Sequence, residues 1–157
     1  SWYVHAEIGT MGLKITFAVL HLLALSIGIA AVYARWRGLR KLKTTEGLPN
    51  VFHADNWYGA AALIWIGTGL MRAFGGLEKG TEHYLESHWF LGKMGLFGMV
   101  LLLELWPMVN LVQWRIALRK GRPLRLDRAP TMALLTGLQI PLLLVMVFMA
   151  AAMARGL

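Results

Sequence analysis

A lysine and a glutamate stand within one strongly apolar stretch of this chain. Lys93 and Glu104 both fall inside the run from residue 90 to residue 112, which is otherwise mostly leucine, methionine, valine, phenylalanine and glycine. At about 100° per residue in a helix, both side chains lie on one stripe, with Phe97 and Val100 between them. An ionisable group at membrane depth costs at least about 2.5 kcal/mol on insertion scales. We therefore expect this stripe to face other helices and to have a functional role.

One histidine lies within a long apolar run. His21 shares a helical face with Lys14, Phe17, Ala24 and Gly28. Ala24 and Gly28 are small and leave room beside the imidazole. Two interpretations remain open: the ring hydrogen-bonds to a neighbouring helix, or it is an axial ligand to a haem iron.

The last apolar run has a polar residue near its middle. Gln139 precedes Pro141 by two residues, and a proline inside a helix frees a backbone carbonyl. Because Glu104 also lies near the middle of its run, we predict that Glu104 and Gln139 meet in a polar core.

Metal chemistry has weaker candidates. The chain contains no cysteine, which excludes thiolate ligands and thiol catalysis. A methionine stripe near the end of the last run could bind Cu(I), although packing explains such a stripe more simply. Its members are Met146, Met149 and Met153. A loop metal site is also conceivable, but a solvated acidic loop is the preferred interpretation. Its side chains would come from Glu78, Glu82, His83, Glu86 and His88.

Four apolar runs must position these side chains. The chain has 157 residues, of which 57% are hydrophobic, whereas soluble domains have about 45–50%. Each run has about 19 or more residues, enough to cross a hydrocarbon core of about 30 Å as a helix. The runs cover residues 12–34, 56–74, 90–112 and 130–154. We predict an all-α integral membrane four-helix bundle that forms a single domain over residues 1–157.

The net charge of +8 is distributed unevenly. Most basic residues follow the first and third runs, in predicted loops 35–55 and 113–129. This asymmetry is the positive-inside pattern. It predicts a multi-pass protein of the bacterial inner (cytoplasmic) membrane with both termini outside. The basic loops are expected to contact anionic lipid headgroups rather than nucleic acid.

Four short motifs together carry a family resemblance. They are Leu20-His21-Leu22-Leu23-Ala24, Trp57-Tyr58-Gly59-Ala60-Ala61 with Thr68-Gly69-Leu70, Trp89-Phe90-Leu91-Gly92-Lys93, and Gln139-Ile140-Pro141. The chain resembles the four-helix bacterial membrane proteins related to HemJ and the CopD domain, and is nearest to a sub-family of that group. The resemblance covers all four runs.

The resemblance implies a cofactor and a reaction. HemJ-like proteins bind haem b and oxidise protoporphyrinogen IX to protoporphyrin IX. By this resemblance His21 would bind the haem iron, and Lys93 would be a second cofactor-binding residue. The chain differs from the HemJ pattern at two positions: Gly92 stands where a histidine often precedes the lysine, and Gln139 replaces a glutamate. We therefore assign no catalytic residue.

Two further functions stay open. The chain could be a non-catalytic structural subunit of a larger membrane complex or a homo-oligomer, with Lys93 and Glu104 as interhelical contacts. Copper transport, by analogy with the CopD domain, has less support because no clear methionine and histidine pattern lines a path. An absorption spectrum of the purified protein separates a haem protein from the other two.

Overall fold

A computed structural model of the chain describes residues 1–74 and 88–156. Over these residues the protein is an all-α membrane bundle of four long helices, with no strand. Two short 3-10 turns, Thr45–Gly47 and Leu126–Arg128, precede the second and fourth helices. The long helices are α1 (Trp2–Lys41), α2 (Leu48–Phe74), α3 (His88–Arg119) and α4 (Ala129–Ala154).

The helices have the length and apolar surface of a membrane protein. Among the described residues, three helical segments are long and apolar enough to cross a bilayer. They are Trp2–Lys41, Phe90–Arg119 and Leu126–Ala154. Helix α2 has 27 residues, enough in length, but it is not among these three segments, so the span at 56–74 stays a prediction. Large apolar side chains such as Leu63, Leu102 and Phe148 are exposed on three helices, as a lipid environment requires.

Buried positions recur mostly every three or four residues in α1, α2 and α4. This spacing is typical of bundles with knobs-into-holes packing. In α1 the buried stripe includes His21, Ala24, Gly28, Ala31 and Arg35. In α2 it includes Val51, Ala54, Tyr58, Ala61, Trp65 and Thr68. In α4 it includes Met132, Thr136, Gln139, Leu143 and Met146.

Helix α1 is central to the packing. It lies against both α2 and α4, and α4 also packs on α3. Gly28 lies where α1 and α2 are in contact, since a Cβ added there would lie at an ordinary van der Waals distance, 3.7 Å, from the Ala61 Cβ. Helices α2 and α3 meet through long side chains, for example Trp65 and Phe97, whose ring centroids are 5.2 Å apart.

The predicted basic loops are wrong in extent. Helix α1 continues to Lys41 and α2 begins at Leu48, so the predicted loop 35–55 shortens to residues 42–47. Helix α3 likewise continues to Arg119, into the predicted loop 113–129. The predictions ended each helix where the apolar run ended. Backbone hydrogen bonds do not depend on side-chain polarity, so a helix extends past that point. As a result Arg35, expected among lipid headgroups, lies in the core.

Gly137 sets the distance between α4 and α1. A Cβ added at Gly137 would lie 2.6 Å from Nε1 and 2.8 Å from Cδ1 of Trp36. Because the indole is rigid, we expect Gly137→Ala to force the two helices apart and to lower the free energy of unfolding by about 1–3 kcal/mol. Chemical unfolding in detergent measures this change. The matched control is Gly67→Ala, where an added Cβ meets nothing within 4 Å. Equal stability of the two variants would contradict the prediction.

Candidate cofactor cavity and polar core

A cavity of about 520 Å³ lies at the end of the bundle where α2 and α4 finish and α3 begins. Its volume falls in the range of about 300–1,000 Å³ found for small-molecule sites. All four helices contribute to its walls, which are mostly apolar. The titratable side chains among the lining residues are His21, Arg72 and Lys93.

His21 is held by one turn of α2. The residue is only 5% exposed, and its Nδ1 lies 2.9 Å from Oγ1 of Thr68. Its ring stacks on Trp65 with centroids 4.9 Å apart and planes 20° from parallel. Gly69 leaves space for the ring, because a Cβ there would lie 3.1 Å from the His21 Cε1. The imidazole is thus held in one orientation by the Thr68 hydroxyl, by the Trp65 ring and by the limited space over Gly69.

Lys93 faces the same aromatic ring. Its Nζ lies 5.1 Å from the centroid of Trp65, a distance at which an ammonium is attracted by the ring quadrupole. Among the described residues, no carboxylate lies within ion-pair distance of this ammonium. The cation is half-buried in the cavity wall, where an anionic group on a ligand would stabilise it.

The structure brings His21 and Lys93 to one cavity, although they come from α1 and α3. Trp65 of α2 contacts both side chains. From the sequence, His21 and Lys93 were predicted to be site residues, whereas Trp65 and Thr68 were not. The signal that could have found them is the three- and four-residue spacing of the α2 stripe, on which both residues lie.

A second cluster of polar side chains joins all four helices, with Arg35 at its centre. Arg35 is fully buried. Its Nη1 donates to Asp55 Oδ1 and to Glu104 Oε2, both at 2.8 Å. Its Nη2 donates to Glu104 Oε1 at 2.5 Å and to Thr136 Oγ1 at 3.1 Å. We call this cluster the polar core; it comprises Arg35, Asp55, Tyr58, Glu104, Arg115, Thr136 and Gln139.

Gln139 completes the polar core. Its Nε2 donates to Glu104 Oε1 at 2.9 Å, which brings together the two residues paired from the sequence. Its Oε1 accepts a hydrogen bond from the Tyr58 hydroxyl at 2.6 Å. Its Nε2 also donates to the Leu135 carbonyl oxygen at 3.4 Å. The residue has no exposed surface, so these partners are needed to satisfy its amide.

The charges of the polar core balance. Asp55 also accepts a hydrogen bond from Nη2 of Arg115 at 2.9 Å, so two guanidinium groups face two carboxylates. Because the carboxylates are paired and hydrogen-bonded, the arrangement serves to hold helices together rather than to bind a ligand. The 14 residues from His21 to Arg35 correspond to about 21 Å along α1, which separates the polar core from the cavity.

Comparison with known proteins places the chain in a family. Residues 13–157 match the family model described as "Predicted membrane protein (DUF2214)". The chain belongs to this DUF2214 family. Searches of curated proteins and of solved structures found no match. Membership agrees with the apolar helices of the bundle, and the family description mentions neither a cofactor nor a reaction.

Metal candidates other than haem find little support in this DUF2214 protein. No group of three or more histidine, aspartate or glutamate side chains in the described ranges could hold a metal ion. The loop candidates at 78–86, including His83, lie outside the described residues. In the methionine stripe, Met146 is buried in the core. The methyl of Met149 would lie 3.0 Å from a Cβ added at Gly92, and Met153 lines the cavity. Packing against neighbouring helices accounts for these positions.

Proposed function

We propose that this protein binds haem b in the cavity and has a redox role resembling that of HemJ protoporphyrinogen oxidase. The observation that carries the proposal is a single arrangement: the buried imidazole of His21 and the ammonium of Lys93 reach one largely apolar cavity beside Trp65. Imidazole is a common axial ligand of haem iron. The resemblance of four motifs to HemJ-like proteins points to the same two residues.

The residues of the cavity fit a haem. A histidine that ligates a metal usually donates its other ring N–H to a neighbouring acceptor, and the Thr68 hydroxyl is placed for this role at Nδ1. Lys93 can neutralise a propionate. The buried indole N–H of Trp65 has no acceptor in the described part of the chain, so it too is available to a polar group of the cofactor.

Each part of the chain then has a defined task. His21 would hold the iron, and haem b would supply one-electron chemistry. The apolar walls, including Leu22, Leu25 and Phe97, would exclude water from the macrocycle. The polar core would keep the four helices in the register that brings His21 and Lys93 together.

An absorption spectrum tests the proposal. The protein is purified in detergent from cells supplied with a haem precursor, and spectra are taken oxidised and reduced. We expect a Soret band that shifts on reduction, with b-type α and β bands. Absence of a Soret band would overturn the haem proposal. Oxidation of protoporphyrinogen IX by the loaded protein, followed by porphyrin fluorescence, then tests the redox role.

A structural subunit is the second candidate, and the beginning of α1 favours it. Residues 2–16 are all exposed, and Trp2 and Tyr3 have 77% and 75% of their surface accessible. A partner protein in the membrane could cover this segment. Co-purification with a stable partner, together with no Soret band, would support this function over the haem protein.

We further propose a bacterial cytoplasmic membrane location with both termini outside. The chain has no cysteine, so a single introduced cysteine reports its side of the membrane. In intact cells Glu7→Cys should react with an impermeant thiol reagent, whereas Arg122→Cys should react only after permeabilisation. Arg122 is preferred to its neighbour Gly121, whose φ of 68° favours glycine. The opposite labelling pattern would reverse the orientation.

A further inference from the structure

The Thr68 hydroxyl has three close neighbours but only one proton. Its Oγ1 lies 2.7 Å from the carbonyl oxygen of Ile64, 3.2 Å from that of Trp65 and 2.9 Å from Nδ1 of His21. A carbonyl oxygen has no proton to give. An oxygen pair at 2.7 Å is therefore a hydrogen bond only if the Thr68 proton lies between the two atoms. With that proton on the Ile64 side, Oγ1 can only accept from His21.

We infer that Thr68 is a positioning residue that fixes His21 in the Nδ1–H tautomer. In that tautomer of the neutral ring, Nε2 carries a lone pair. The backbone of Trp65 also hydrogen-bonds to the ring, no side chain of the described residues bonds to Nε2, and His21 lines the cavity. A lone pair at Nε2 can bind a metal centre or accept a hydrogen bond, and the haem iron is the ligand we infer for it. This ligand class rests on the proposed haem function, whereas the tautomer itself does not.

The surroundings of the ring prevent the alternative arrangement. Rotating the imidazole by half a turn would exchange Nδ1 for a carbon atom and leave Thr68 without its donor. The stack on Trp65 and the narrow space over Gly69 hinder the out-of-plane rotation through which such a flip must pass. Because Trp65, Thr68 and Gly69 belong to one turn of α2, they act on the ring as a unit.

Nuclear magnetic resonance of ¹⁵N-histidine in the full chain, prepared without haem, measures the tautomer directly. His21→Gln identifies the His21 signals. We expect the wild-type protein to have protonated Nδ1 and unprotonated Nε2. Thr68→Val, which keeps the shape and removes the hydroxyl, should shift His21 toward the Nε2–H form, and Thr68→Ser should keep the original form. A wild-type ring protonated at Nε2, or an unchanged tautomer in Thr68→Val, would overturn the inference.

A matched control uses Thr16. Its hydroxyl makes the same bond to the carbonyl four residues earlier, Gly12, at 2.8 Å, but it is exposed, and no hydrogen bond joins it to a histidine in the described part of the chain. Thr16→Val should leave the His21 signals unchanged. A shift in that variant equal to the one in Thr68→Val would show a general effect of valine and overturn the role of Thr68.

Titration with hemin separates this inference from the proposed function. Loss of a group that orients a metal ligand typically weakens metal binding about 10- to 100-fold. We expect that loss for Thr68→Val, and little change for Thr68→Ser or Thr16→Val. If the wild-type protein binds no hemin, the haem proposal fails while the tautomer measurement still decides the inference. If wild type and Thr68→Val bind hemin equally, Thr68 has no positioning role although the haem proposal stands.

Discussion

Replacing Arg35 with methionine should lower the free energy of unfolding of the detergent-solubilised protein by about 3–5 kcal/mol. Arg35 is fully buried and is the main cationic partner of Glu104, which would keep only the Gln139 amide. Asp55 would lose one of its two guanidinium partners. Methionine fills most of the volume but leaves a poorly compensated carboxylate among four packed helices. Reversible unfolding by denaturant in mixed micelles measures the loss.

Two further variants show that the loss comes from charge and not from packing. Arg37→Met removes a guanidinium two residues away that is exposed, and it should change stability by less than about 0.5 kcal/mol. Arg35→Met combined with Glu104→Gln removes both members of the pair, and it should recover much of the loss because the unpaired carboxylate is gone. Similar stability of Arg35→Met and Arg37→Met would contradict the assignment of Arg35 as the centre of the polar core.

The helical fold could be predicted from the long apolar runs of the sequence. Long apolar runs separated by short polar segments require helices in lipid, because only an internally hydrogen-bonded backbone is stable there. This reasoning predicted the all-α membrane bundle, which the structure confirms. The helix ends were less predictable. The end of an apolar run marks where the helix leaves the lipid, but the backbone hydrogen bonds of the helix can continue beyond that point. Helix α1, for example, extends to Lys41 although its predicted span ends at residue 34.

Arg35 shows why most of the polar core was missed. It directly follows the first apolar run in a cluster of basic residues, so its charge was interpreted as part of a lipid-facing loop. Its position on the helix indicates the opposite, because Arg35 continues the stripe of His21, Ala24 and Gly28 at intervals of three and four. A basic residue that keeps the spacing of a buried stripe is therefore a candidate for a buried ion pair. The exposed Arg37 does not keep that spacing.

The cavity shows a different limit of sequence reasoning. His21 and Lys93 were recognisable because charged or titratable groups are rare in apolar runs. Thr68 and Trp65 were not, since a threonine and a tryptophan are ordinary residues of a membrane helix and gain their role only from the ring that contacts them. Such contacts depend on the relative rotation and register of α1 and α2. The rotation and register depend on how the two helices pack against each other, which the spacing of residues within one helix does not specify.

The separation of the two sites makes the haem proposal testable without loss of fold. The polar core lies about 21 Å along α1 from His21, and its partners do not include the cavity histidine. Changes at the cavity should therefore alter ligand binding while the ion pairs continue to hold the helices. Changes at Arg35 should instead reduce stability and affect the cavity only through unfolding.

His21→Ala should abolish bound haem, seen as loss of the Soret band in protein purified in detergent from cells supplied with a haem precursor. The variant removes the one imidazole that the described residues bring to the cavity wall and leaves the polar core intact, so its helical content should match that of the wild type by circular dichroism. Lys93→Met should retain the iron ligand but lose a cation beside Trp65. We expect weaker haem retention or a shifted spectrum in that variant, since the proposed propionate contact is lost.

His53→Ala is the control, because it removes a histidine that does not line the cavity. His53 is exposed on α2 and accepts a hydrogen bond from Nε1 of Trp57 at 3.1 Å, away from the cavity lining. Its removal should leave the spectrum unchanged. If His21→Ala and Lys93→Met both keep the wild-type spectrum while His53→Ala does too, the haem lies elsewhere and the cavity assignment fails. If His21→Ala loses haem only because it no longer folds, the helical content falls with the Soret band, and the two causes are thereby distinguished.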